Sequence, residues 1–201
     1  YGQTKWIKSN SRKRNIALVV HVGDITQTDQ KEEWKIADSA FRTIDHCVPY
    51  VICSGNHDMG YSSDLRKTGQ SRASRFSTFF PPSRFTENPT YDSSFGPDKH
   101  HHFREPGKTE SYYLYFQAAG MKFLVLTLEF KPTDETLTWA NRVVEQHTDR
   151  RVIVVTHAYL TKKGQRTKSD GYPVKGNSGQ AIWEKFVRGH KNIFLVLSGH
   201  A

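Results

Sequence analysis

Four short apolar runs in this chain each end in a turn that presents a side chain able to ligate a metal. Ile16–Val22 leads into Gly23-Asp24, and Pro49–Cys53 into Ser54-Gly55-Asn56-His57-Asp58. Arg151–Thr156 leads into His157, and Ile193–Leu197 into Ser198-Gly199-His200. Runs of this length and composition read as buried strands. Between the first two, residues 31–46 space Trp34, Ile36, Ala37, Ala40, Phe41 and Ile44 near a 3.6 period, which predicts an amphipathic helix. Strand, glycine turn, helix, strand, glycine turn is the pattern of a βαβ unit and a mainly parallel sheet. Open sheets of that type bind ligands beyond the carboxyl ends of their strands. Asp24, Asn56, His157 and His200 are therefore expected to converge although they are distant in sequence.

The rest of the chain fits around these strands. Residues 59–110 lose periodicity and read as a long irregular insertion, with a short helix around Arg72–Phe80. Ser111–Ala118 and Met121–Leu128 flank Ala119-Gly120 as a hairpin. Helices are expected over 134–147 and 179–190, with Trp34, Trp139 and Trp183 on core-facing sides. Residues 158–178 form a second loop, rich in Gly and Lys. The 201 residues suit a single domain, 1–201. The start, Tyr1–Trp6, lacks an initiator Met, and residue 201 follows directly on a strand and a Gly-His turn. Both ends are expected to be cut from something longer.

Composition excludes several classes. With 12 Phe, 9 Tyr and 4 Trp the chain is too aromatic for a solvated tail. No apolar run approaches the roughly 18–20 residues that span a bilayer. Cys47 and Cys53 bracket an extended run whose ends lie roughly 20 Å apart at about 3.3 Å per residue. A disulfide requires Cα atoms within about 7 Å, so two free thiols are expected. The net charge of +9 fits either a solvated lysine-rich surface or attraction of anionic partners.

The donor set is chemically coherent. A carboxylate can bridge two cations, an Asn oxygen is a neutral ligand, and two imidazoles suit Mn, Fe or Zn. The ordered series Gly23-Asp24, Gly55-Asn56-His57-Asp58, His157 and Gly199-His200 resembles the calcineurin-like metallophosphoesterase superfamily, whose motifs run D-x-H/Q, G-D, G-N-H-D/E, H, G-H-x-H. Val22–Thr26, the Trp34 helix and Thr127-Leu-Glu-Phe130 are similar to a bacterial branch whose first motif reads Asp-Thr-Gln.

The resemblance covers nearly the whole chain and implies an α/β fold, a two-sheet β-sandwich flanked by helices. It implies a phosphoesterase acting on phosphodiester or phosphomonoester substrates through two divalent transition metal ions and a bridging hydroxide. Carried over, Asp24 is the bridging carboxylate, and Asn56, His157 and His200 complete one metal site. His57 faces the leaving oxygen, and Asp58 is a candidate to orient it. The first motif and the last His of G-H-x-H are not in the sequence, so the second metal site is expected to be incomplete here. Gln27 and Thr28 stand where the protein-phosphatase branch has Asp and Arg, which argues against a phosphoprotein substrate.

Two further features invite function. His100-His101-His102 reads as a solvated loop rather than a metal tract. Arg72, Arg75, Arg84 and Arg104, interleaved with Phe76, Phe79, Phe80, Phe85 and Phe103, motivate a nuclease or nucleic-acid-binding alternative. The bland reading is that these Phe residues anchor the loop. A non-catalytic interaction protein is the third reading. Resemblance to the bacterial branch tilts localisation toward export or the periplasm.

Overall fold

The computed structural model describes residues 1–60, 67–87, 101–169 and 171–200. Helix α1 (Gly2–Asn10) precedes strand β1 (Val19–His21), helix α2 (Lys31–Arg42) and strand β2 (Tyr50–Ile52). β1 and β2 pair in parallel as a two-stranded sheet, which is the βαβ unit read from the sequence. Both strands are shorter than the apolar runs that contain them. Glu33 secures the start of α2 by accepting from the Gln30 and Thr28 amides at 3.2 and 2.8 Å.

Helices α3 (Phe76–Phe79) and α4 (Pro82–Thr86) follow, then β3 (His102–Phe103), β4 (Tyr112–Ala118) and β5 (Met121–Thr127). β4 and β5 form the expected hairpin, with Ala119 and Gly120 both at positive φ, as a two-residue turn of this hand requires. Helix α5 (Asp134–Glu145), strand β6 (Arg151–Val155), helix α6 (Gly179–Lys185) and strand β7 (Ile193–Leu197) complete the order. The second sheet runs β3-β4-β5-β6-β7, antiparallel through β5 and parallel beyond it. It is mixed because the hairpin adds antiparallel strands to a parallel core.

Alternation along these strands separates two cores. Tyr112, Leu114, Phe116, Val125, Ile153 and Val155 face the small sheet and join Val51, Ile52, Trp34 and Phe41 in one buried cluster. Tyr113, Leu124, Leu126, Val152 and Val154 face the other way, onto Leu137, Val144, Ile182 and Phe186 of the α5/α6 layer. The result is a two-sheet sandwich with helices outside. The Tyr112 hydroxyl bridges the sheets, lying 3.0 Å from the Ile52 amide nitrogen.

The segment 59–110, insofar as it is described, anchors the fold. Phe76, Phe80 and Phe85 are fully buried around Trp34 and Tyr50. Arg84 ties α4 to α2 and the following turn, pairing with Asp38 and with Asp45 at 3.0 Å. The solvated-loop reading of the histidine tract is corrected for His101 and His102. His101 packs against Phe85, Phe103 and Tyr112, and His102 stacks on Tyr113 at 4.5 Å. His100 lies outside the described residues. Trp34 is buried, while Trp139 and Trp183 are half-buried against the second core. Cys47 and Cys53 are free thiols. Among the described residues, no helix is long and apolar enough to cross a membrane.

Candidate metal centre

Strands β1 and β2 belong to one sheet, β6 and β7 to the other, and all four deliver their carboxyl ends to one place. His157 is its hub. The ring Nδ1 lies 2.7 Å from the Val22 carbonyl oxygen, so Nδ1 carries the proton and donates it. That leaves Nε2 facing Asp24 Oδ2 at 3.2 Å, Asn56 Oδ1 at 3.2 Å and His200 Nδ1 at 3.1 Å. The ligand atoms of Asp24, His157 and His200 all lie within 4.8 Å of one another.

Neighbouring hydroxyl and amide groups set these orientations. The Asn56 amide donates to Thr68 Oγ1 at 2.9 Å, which turns Oδ1 toward His157. Asp24 Oδ1 accepts from the His57 amide at 3.1 Å, which aims Oδ2 at His157. Asp24 itself sits at φ +54, a left-handed conformation that Asp tolerates better than most residues. Gly23 precedes it at φ +94, where a Cβ would come within 2.5 Å of His157 Nδ1. At Gly55 a Cβ would overlap Asp24 Oδ1. These two glycines let the ends of β1 and β2 close on the ligands.

The donor chemistry fits a divalent cation. One imidazole lone pair meets a carboxylate oxygen, an amide oxygen and a second imidazole nitrogen. A single proton on Nε2 satisfies only one of them, whereas a cation among them attracts all four. Burial pushes Asp24 up, but the His157 ring and the His57 amide more than offset it and hold the carboxyl below its ordinary range. Burial likewise pushes His157 down, and Asp24 more than offsets this, raising it. Phe130 and Tyr172 wall the group, with ring centroids 6.1 and 5.6 Å from that of His200.

His57 stands beside the cluster on a short 3-10 turn, Asn56–Asp58. Its Nδ1 lies 2.6 Å from the Gln27 carbonyl oxygen, with the Gln27 side-chain amide 3.3 Å away. Nδ1 therefore donates to a main-chain carbonyl, and Nε2 is the nitrogen left for chemistry. Asp58, the candidate to orient His57, does not touch its ring. The Asp58 carboxylate is buried and accepts from the Ile25, Thr26 and Gly55 amides at 3.1, 2.8 and 2.8 Å, and from the Thr26 hydroxyl at 3.0 Å. Adjacent side chains on the turn diverge, so Asp58 points into the protein and His57 out of it. Burial pushes Asp58 up to about 6 against the pull of these amides. Sequence reading noted Gln27 only as a missing Asp; a main-chain acceptor leaves no side-chain signal.

The four arginines of the 72–104 region are engaged in holding the structure. Arg72 donates to the Lys131 and Lys175 carbonyls at 2.7 and 2.6 Å, and Arg75 to the Asp29 carbonyl at 2.6 Å. Arg84 pairs with Asp38 and Asp45, and Arg104 with Glu105. With Phe76, Phe80 and Phe85 buried, this is the anchoring reading of the aromatic residues.

A metal-ligand cluster at the carboxyl ends of strands from two facing sheets defines a class, and comparison with known proteins agrees. The family model described as calcineurin-like phosphoesterase matches residues 1–201, and the chain belongs to that family. It is 32% identical over 200 residues to the Bacillus subtilis (strain 168) protein named "Uncharacterized protein YvnB". The match covers 98% of this chain and 13% of that relative, so the chain spans a small part of the relative's length.

Proposed function

We propose that this chain carries the metal-binding face of a phosphoesterase that hydrolyses phosphodiester or phosphomonoester bonds. The observation that carries this reading is the convergence of Asp24, Asn56 and His200 on the single lone pair of His157. Asp24, Asn56, His157 and His200 would hold a divalent transition metal, Mn, Fe or Zn, with Asp24 the ligand shared with a second ion. Such ions supply Lewis acidity at the phosphoryl oxygens and lower the pKa of water.

The chain's own residues do the rest. Val22 fixes the His157 tautomer through its carbonyl, and Thr68 fixes the Asn56 amide. With Nδ1–H held on the Gln27 carbonyl, His57 in its doubly protonated form presents Nε2–H to the departing oxygen and stabilises it by donating that proton or a hydrogen bond, which leaves the ring neutral. Phe130 and Tyr172 exclude water from one side of the cluster.

His57 is not a ligand in this reading, so its loss separates chemistry from metal binding. In the whole protein, His57→Ala is expected to lower turnover about 10²-fold or more while metal content by mass spectrometry stays at the parent value. His157→Ala is expected to lose both. Loss of metal in His57→Ala would overturn the assignment.

A further inference from the structure

Asp58 touches no group on which substrate could act, yet it joins the two turns from which the site is built. One carboxylate oxygen accepts from the Ile25 and Gly55 amides, the other from the Thr26 amide and hydroxyl. Donors from the turn after β1 and the turn after β2 therefore meet on one buried carboxylate. The Thr26 hydroxyl lies 3.1 Å from the His57 carbonyl as well, and the Asp29 amide donates to it at 3.3 Å. One residue beyond Thr26, the Gln27 carbonyl receives the His57 Nδ1 proton at 2.6 Å.

We infer that Asp58 is a positioning residue: by gathering the backbone of 25–26 it sets the Gln27 carbonyl, and that carbonyl holds the His57 Nδ1–H, which fixes the ring so that Nε2 faces the substrate and is the nitrogen that takes up and gives the proton. The inference rests on the role proposed above for His57. It differs from a side-chain dyad in one respect that can be tested. The acceptor is main chain, so the identity of residue 27 is secondary, while the carboxylate that fixes the backbone is not. The geometry of Asp58 explains why Asn is a poor replacement. Three of its four partners are main-chain N–H donors, and in either orientation the amide NH2 of Asn would face at least one of them.

The test uses the whole protein loaded with Mn2+ and two aryl phosphodiesters, one releasing 4-nitrophenol and one releasing phenol. A group that assists departure of the leaving oxygen matters more for the worse leaving group. Asp58→Asn, like His57→Ala, is expected to lose at least 10-fold more turnover on the phenyl than on the nitrophenyl ester, with metal content unchanged. Thr26→Val removes one donor to the same carboxylate and is expected to shift the ratio in the same direction by a smaller factor. It serves if Asp58→Asn fails to fold.

The second readout is independent of activity. Nitrogen-15 NMR of the imidazoles, in protein loaded with a diamagnetic ion such as Zn2+, should show His57 protonated at Nδ1 in the parent and in Gln27→Ala. In Asp58→Asn or Thr26→Val the two tautomers should mix. Equal loss on both esters with the tautomer unchanged would overturn the inference, as would loss of the Nδ1 proton in Gln27→Ala. If His57→Ala itself shows no leaving-group preference, the proposed role of His57 fails. The tautomer then decides the positioning claim alone.

Discussion

Single residues decide this site because its ligands have no room to be displaced. Gly55 packs against Asp24 so closely that a methyl group would overlap its carboxylate. Gly55→Ala is therefore expected to push Asp24 away from His157 and weaken metal binding at least 10-fold, read by titration with Mn2+ followed by electron paramagnetic resonance. Unchanged affinity would mean that Asp24 is not a ligand. The convergence of Asp24, Asn56, His157 and His200 was legible in the sequence because each follows an apolar run that ends at the same edge. Their orientation was not. Val22, Thr68 and Gln27 act through a carbonyl, a hydroxyl and a carbonyl that no pattern marks. The route by which Asp58 could act on His57 was hidden for a related reason, since neighbours in sequence on a tight turn point in opposite directions.

At the scale of elements, helices α3 and α4 and strand β3 turn an aperiodic sequence into part of the core. Arg84 is the clearest case: its side chain is 8% exposed and is shared by Asp38, Asp45, the Tyr50 hydroxyl and the face of the Phe80 ring. Arg84→Ala removes the buried cation from two carboxylates, leaving Asp38 with the exposed Arg42 and Asp45 with the Tyr50 hydroxyl, and is expected to cost about 3 kcal/mol in urea unfolding, with little change in metal affinity. Beside it, His101 is held down to about 3 by burial among aromatic rings, with His102 adding to the shift. A histidine depressed in the fold contributes stability that is full above its unfolded value of about 6.5 and is lost as pH falls toward 3. Between pH 7 and pH 4 the parent is expected to lose more stability than His101→Phe, measured as the difference in urea midpoints. Parallel curves would show that His101 is not buried neutral. Periodicity could not place these elements because they are too short to repeat, and four or five residues show no helical face. The long elements were legible to within a few residues. β1 and β2 are shorter than their apolar runs because Leu18, Val22 and Cys53 are buried or half-buried beyond the ends of the ladder.

Across the whole molecule, the division of labour between the sheets is the organising fact. The small sheet brings Asp24, Asn56 and His57, and the large one brings His157 and His200. The site exists only when the sheets face each other across the core of Trp34, Ile52, Leu114 and Val125. The sandwich was readable from the motif series, whereas the sequence pattern alone pointed to one mainly parallel sheet. The missing information was spatial: nothing local says that β2 and β6 lie in different layers. The net charge of +9 is spread over the 201 residues of this chain. With Arg72, Arg75, Arg84 and Arg104 committed to internal partners, a charge of this size would act as a diffuse field, raising the local concentration of anionic esters under the proposed function. Turnover of a charged phosphoester is accordingly expected to fall with ionic strength through KM rather than kcat.

The central claim is that the cluster at the strand ends binds a metal that the hydrolysis of phosphoesters requires. It is tested most directly by one assay of the whole protein: release of 4-nitrophenol from bis(4-nitrophenyl) phosphate, beside the monoester, before chelation, after it, and after return of Mn2+. Turnover is expected to disappear on chelation, to return with Mn2+ and to be absent from His157→Ala. Turnover indifferent to chelation, or a protein that neither retains metal nor cleaves either ester, would contradict it.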